Sequence, residues 1–228
     1  MIDQSRVEVT PKSRYLDDWD RIAATLPTRT PTEALGVRPG DDVLVLAAHP
    51  DDETLGAGAT VAALVAAGVD VHVVALTAGE AALAHVGYES PDLAARRRSE
   101  FASACRRLGV STCQVLDLGD SLLSEREEAV TEVVQAAVRR HRPAHVLTPW
   151  WQDPHPDHAA VGRACQDVAD HTDFDVSGYL LWALHWSHPD DILTGENRMV
   201  VLSHDEDALA ARRAAVLRPG RRRSAVLR

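Results

Sequence analysis

The chain has 228 residues, 45% of them hydrophobic, and a formal net charge of -10. That length and apolar content suit one globular domain that buries its own core, and they exclude a disordered chain. The negative field opposes binding to nucleic acid, no apolar run is long enough to cross a bilayer, and the polar first residues lack the apolar centre of a secretory leader. A cytoplasmic protein without nucleic-acid or membrane partners is expected.

Residues 13–26 read as an amphipathic helix, with Tyr15, Trp19, Ile22 and Leu26 on one stripe. The Pro-, Thr- and Gly-rich stretch 27–40 reads as a loop. Residues 1–40 are therefore expected to pack on the domain, not to form a second one. From residue 41 strands and helices alternate. The run VLVLAA (43–48) is apolar throughout, as a strand buried on both faces must be. A small-residue helix follows over 55–67 and Gly68 stops it. A second strand is expected over 69–76, a helix over 93–108 closed by Gly109, and a short strand over 115–118. Ser124 and Glu127 have the spacing of a capping box at the head of a helix over 124–141, which Pro143 ends. A fourth strand is expected over 144–149, a helix over 157–170, a fifth strand over 178–185, a sixth over 199–202, and a last helix from 205 to about 217. Residues 218–228 form a basic tail.

This alternation implies an α/β fold: a Rossmann-like, doubly wound, mainly parallel sheet of about five or six strands with helices on both faces. In the simplest order, 3-2-1-4-5, the first and fourth strands are neighbours and the chain reverses direction between them. Ligands of such sheets bind at that switch point, outside the carboxyl ends of the strands.

The two segments richest in chemistry follow those two strands. His49-Pro50-Asp51-Asp52-Glu53 follows the first, and His155-Pro156-Asp157-His158 follows the fourth. Imidazole and carboxylate are the usual zinc ligands outside cysteine sites, and catalytic zinc keeps three protein ligands and an open position. His49, Asp52 and His158 supply such a set, which also suits iron. Asp51 and His155 remain beside it, a carboxylate able to accept a proton from water and an imidazole able to stabilise an oxyanion. Asp157 and Glu53 are placed to hold imidazoles or backbone amides.

At these residues the sequence resembles the PIG-L-like (LmbE-like) N-acetylglucosaminyl deacetylases, whose signature is AHPDDE after the first strand and HPDH after a later one. Here these stand complete as Ala48 to Glu53 and His155 to His158. The likeness runs from about residue 41 to 162 and includes Thr77 to Glu80, the arginine-rich helix around Arg96 to Glu100, and Leu108-Gly109. The resemblance implies zinc bound by His49, Asp52 and His158, Asp51 as general base, and His155 as oxyanion stabiliser or proton donor to the leaving amine. It also implies a deacetylase domain over 41–217 and an N-acetylated amino-sugar substrate. The chain departs from many relatives at Ala78, where they carry aspartate, and at Gln152 and Pro154 ahead of HPDH.

The segment 182–189 (WALHWSHP) is expected to form a pocket wall, with His185 and His188 as its exposed candidates. Cys105 and Cys165 fall on apolar helix faces and are expected in the core. The sequence leaves self-association open. Two rival functions stand beside the deacetylase: a zinc amidase cleaving another amide of a sugar conjugate, and a non-catalytic nucleotide-binding module. Against the module, no glycine-rich phosphate fingerprint follows the first strand.

Overall fold

The computed structural model describes residues 15–82, 92–193 and 198–216. In chain order its elements are α1 (Leu16–Ala23), β1 (Thr28–Arg29), α2 (Pro31–Leu35), β2 (Asp42–Ala47), α3 (Asp52–Ala66), β3 (Asp70–Ala75), α4 (Leu93–Leu108) and β4 (Thr112–Val115). After a 3-10 turn at Leu123–Glu125 come α5 (Glu127–His141), β5 (His145–Pro149), α6 (Pro156–Ala169), β6 (Asp175–Tyr179), α7 (Ala183–Trp186), α8 (Pro189–Ile192), β7 (Val201–Leu202) and α9 (Glu206–Val216).

The main sheet has five strands in the order β4-β3-β2-β5-β6, and every pairing is parallel. This is the 3-2-1-4-5 order expected from the sequence. Side chains of a strand alternate between faces. Along β2, Val43, Val45 and Ala47 enter one core cluster with residues of α3, α4 and α9. Leu44 and Leu46 enter a second cluster with residues of α5 and α6. Both faces are covered, so the strand is apolar at every position after Asp42. The chain reverses between β2 and β5, and both signature segments leave the sheet at its carboxyl edge.

Several expectations need correction. The strand expected over 178–185 is β6, which starts earlier, at Asp175, and ends at Tyr179. Its apolar continuation turns into α7 instead, because its side chains find cover against Trp19 and Trp150. A short apolar run does not distinguish these outcomes. Ser124 and Glu127 make no capping box: Ser124 lies in the 3-10 turn and α5 starts with no side-chain cap. The capping box sits in the segment read as loop, where Thr30 and Glu33 cap α2. The sixth strand does not join the main sheet. β7 pairs in parallel with β1, closing a two-stranded ribbon.

The N-terminal helix α1 packs against α7 and α8. Trp19 is buried, and its Nε1–H donates to the carbonyl of Ser187 at 3.1 Å. Cys105 and Cys165 are buried in the two core clusters. The basic tail over 218–228 lies outside the described residues, as does His85. Among the described residues, no helix is long and apolar enough to cross a membrane.

Candidate metal and catalytic site

His49 stands two residues past the end of β2, and α3 begins three residues later. The backbone between them is forced: Asp51 has φ 129°, a conformation that side-chain-bearing residues rarely adopt. The strain is held in place by hydrogen bonds. Asp51 N–H donates to Glu53 Oε2 at 3.0 Å, and the Pro50 carbonyl accepts from Arg97 Nη2 at 2.7 Å. Arg97 also donates to the Gly79 carbonyl at 3.1 Å and pairs with Asp51 Oδ2 at 3.0 Å. Gly79 is required there. It has φ 64°, and a Cβ would stand 2.5 Å from the guanidinium. Thr77 and Glu80 build the same turn: Thr77 Oγ1 donates to the Ala48 carbonyl, and Glu80 Oε1 accepts from Asp120 N–H. Ala78 is buried and offers nothing to a cleft.

The second segment arrives from β5. Trp150, Trp151 and Asp153 form the loop, and Pro156 starts α6. Gly162, in the second turn of α6, lets the helix press on that loop, since a Cβ would lie 2.5 Å from the Pro149 carbonyl and 2.6 Å from Trp151 Cα.

The two segments meet. Asp52 Oδ2 is 3.5 Å from His49 Nδ1 and 3.3 Å from His158 Nε2. One donor atom from each of the three lies within 4.8 Å of the others, and all three residues are buried. His158 is wholly buried, yet neither of its ring nitrogens makes a hydrogen bond. An unpartnered imidazole in a dry site is costly, and these nitrogens have the placement a metal ligand needs. His49, Asp52 and His158 therefore fit a divalent cation.

The outer face of His49 is fixed by carboxylates. Its Nε2 is 3.1 Å from Asp157 Oδ2 and 3.0 Å from Asp120 Oδ1. Asp157 accepts further bonds from the backbone N–H groups of Ser121 at 2.8 Å and Leu123 at 3.0 Å. Asp120 accepts from Ala81 N–H at 2.7 Å. These two carboxylates with His49 make a second cluster of donor type, but backbone amides already occupy them. They are built to hold the Nε2–H tautomer and leave Nδ1 free. Asp153 stands behind His158, with Oδ1 3.5 Å from Nδ1 and no hydrogen bond between them.

The electrostatics follow from this crowding of acids. Burial disfavours a charged His49, but Asp120, Asp157 and Asp52 outweigh it and the ring is pushed up to about 12. The same excess of negative charge would draw a cation to Nδ1. Burial also works to raise Asp52, and the His158 and His49 rings overcome it, holding that carboxyl well below its usual range. Asp51 moves the other way. Its crowded surroundings and the Asp52 charge push it up to about 6 against the pull of Arg97, although 55% of its side chain faces solvent and tempers the first effect. Burial holds His155 below the ordinary imidazole value, with the neighbouring His158 and His49 adding to it.

Asp51 opens onto a cleft of about 600 Å³ lined also by Pro50, Thr54, Arg96 and Arg97. His155 closes the other side of the donor set, with its ring centroid 4.7 Å from His158 and 5.0 Å from His49. Thus the structure gathers His49, Asp51, Asp52, His155, Asp157 and His158 at one sheet edge. His188 does not join them. It caps α8, lies 3.8 Å from Asp18 and meets Tyr15 edge-on.

The model of the PIG-L family, described as GlcNAc-PI de-N-acetylase, matches residues 44–169, the stretch that holds both segments. This chain belongs to the PIG-L family. It is 36% identical over 123 residues to the diacetylchitobiose deacetylase of Thermococcus kodakarensis, covering 53% of this chain and 46% of that protein. It is 31% identical over 127 residues to a probable N-acetyl-alpha-D-glucosaminyl L-malate deacetylase 2 of Bacillus cereus, covering 54% of this chain and 58% of the relative. The chain spans about half the length of these curated relatives. Among solved structures, the conserved protein TT1542 of Thermus thermophilus superposes with a TM-score of 0.51 at 32% identity, covering 65% of this chain and 68% of that one. The matched stretch ends with α6, and β6 to α9 lie beyond it.

Sequence reasoning about this PIG-L chain missed Asp120 and Asp153 as supports and had Arg97 only within a helix of family likeness. Asp153 could have been flagged by its place in the loop ahead of His158. Asp120 follows β4 at the same carboxyl edge, which the switch-point rule covers.

Proposed function

We propose that this PIG-L chain is a zinc-dependent N-deacetylase acting on a small molecule that contains an N-acetylated amino sugar. The observation that carries this is the approach of Asp52 Oδ2 to within 3.3 Å of His158 Nε2, which joins two segments 106 positions apart into one donor set. The relatives' activities, amide hydrolysis on acetamido sugars, agree with it.

His49, Asp52 and His158 would hold the metal, and zinc there supplies a Lewis acid that polarises the acetyl carbonyl and acidifies water. Asp51 accepts the proton of the attacking water. Its carboxyl, raised to about 6, is deprotonated at neutral pH yet basic enough for that transfer. As the water oxygen bonds to the carbonyl carbon, His155 donates an N–H toward the developing oxyanion. It does so as a neutral ring, since burial and the adjacent imidazoles lower its affinity for a second proton. The C–N bond then breaks, the proton taken by Asp51 passes to the leaving nitrogen, and acetate and a free amine are released. Asp157 acts through His49 as a positioning residue.

The test is acetate release from a panel of N-acetylglucosaminides by the full chain, purified without chelator and assayed with added zinc, with iron(II), or with chelator. Release that depends on zinc is expected. A metal-loaded chain that releases no acetate from any acetamido sugar would overturn the reading.

A further inference from the structure

Beside the site stands a stacked pair of tryptophans that the reaction above does not use. The rings of His155 and Trp182 have centroids 6.4 Å apart and planes 25° from parallel. Trp182 in turn lies against Trp186 at 4.5 Å and 21°. Two ring-to-ring steps thus lead from the imidazole at the reacting centre to an indole that is 51% exposed.

The turn that carries this pair is anchored. Ala183 is wholly buried, and its N–H donates to Asp153 Oδ2 at 3.2 Å. Trp186 N–H closes on the Trp182 carbonyl at 3.0 Å. The Ser187 carbonyl is held by Trp19. Asp153 is also the carboxylate behind His158, so the tryptophans and the donor set share one support. The cluster beneath, formed by Trp19, Trp150, Ala183 and Ile192, is completed by Tyr15, Trp151, Leu180, Leu184 and Met199, and among the described residues it draws on neither Trp182 nor Trp186. A large indole carried on an anchored turn, stacked on its neighbour and left half in water is a surface for binding, not a piece of core.

We propose that Trp182 and Trp186 form a platform for a second sugar ring, with the acetamido sugar at the donor set and the next pyranose laid against the Trp186 indole. This rests on the deacetylase reading and narrows its substrates to saccharides of two or more rings. A pyranose has a face of C–H groups and a rim of hydroxyls. It can cover an open indole while its hydroxyls stay in water or meet the exposed imidazole of His185, whose ring is 5.9 Å from Trp182. A wholly aromatic group would gain most from a dry slot, which a half-exposed indole does not give. Because the turn is already held, little freedom is lost on binding.

The test uses the zinc-loaded full chain with N-acetylglucosamine and its chitin-type dimer. Trp186→Ala is expected to raise the ratio of the dimer's KM to the monomer's about five- to tenfold, with kcat moving less, and Trp186→Phe to restore most of it. A second measurement needs no turnover: titration with the fully deacetylated glucosamine dimer, read by tryptophan emission, shifts the wild type and not Trp186→Ala. An unchanged KM ratio, or a wild type whose emission ignores the dimer, overturns the platform. An emission shift that Trp186→Ala abolishes, in a metal-loaded protein that releases no acetate from any acetamido sugar of the panel above, keeps the platform and removes the deacetylase reading.

Discussion

Asp157 Oδ2 lies 3.1 Å from Nε2 of His49, a residue 108 positions away, while both of its oxygens also accept backbone N–H groups from the loop after β4. One carboxylate thus ties three chain segments together at the back of a candidate metal ligand. Carboxylates in that position fix the tautomer and orientation of the ligating ring. Asp157→Asn should lower zinc affinity about 10- to 100-fold, because an amide can present a donor to Nε2 and favour the wrong tautomer. Zinc titration against a competing chelator measures it, and an unchanged affinity would remove Asp157 from the positioning role.

Asp51 carries both a strained backbone and the proposed base. At φ 129° a glycine is at ease where an aspartate is not. Asp51→Gly should therefore stabilise the fold by about 1 kcal/mol, the relief of strain exceeding the added freedom of the unfolded chain. It should also cost on the order of 10²–10⁴ in kcat with zinc content retained. Thermal unfolding, metal analysis and turnover on the same preparation check the three together. A variant with full activity would end the general-base assignment.

Gly162→Ala ordinarily favours a helix interior. Here the added methyl would meet the backbone of Pro149 and Trp151 at 2.5 and 2.6 Å, and backbone cannot swing aside. A loss of about 1–3 kcal/mol is expected. Weaker zinc binding should accompany it, because α6 carries His158 and must lift away from the Trp151 loop. A denaturant midpoint equal to the wild type's would contradict this packing.

His145 is buried at the start of β5, with Nδ1–H donating to the Leu35 carbonyl at 3.0 Å and Nε2 paired with Ser177 Oγ at 3.0 Å. Burial holds it below its ordinary value of 6.5, against a weaker pull from Leu35 and Asp175. The unfolded chain therefore binds this proton first as pH falls. Its contribution to stability is whole above about pH 6.5 and is lost as pH drops below that toward the folded-state value. Comparing wild type with His145→Gln from about pH 7 to 5 should show the wild type losing stability more steeply. Parallel curves would mean that His145 titrates alike in both states.

The sheet order and the donor set are legible in the sequence. A run apolar at every position from Val43 to Ala48 has only one comfortable place, a strand covered on both faces, and β2 occupies it. His49, Asp52 and His158 stand in segments that the strand order alone brings to one edge. Local signals failed where cover came from afar. The apolar residues after Tyr179 find their partners in Trp19, more than 150 positions away, so a stretch patterned like a strand becomes the turn α7. Ser124 and Glu127 have the spacing of a cap, but the loop before them folds toward Asp157 and takes another course.

The sequence by itself determined which chemical groups this protein possesses and the edge at which they gather, because strand burial and the handedness of parallel crossovers leave few alternatives. Only the tertiary structure decided how those groups are aimed: the carboxylates of Asp120 and Asp157 on one side of His49, Arg97 bracing the turn of Asp51, and an indole pair standing beyond His155. Aim depends on distances between residues far apart in the chain, and local patterning carries no information about them.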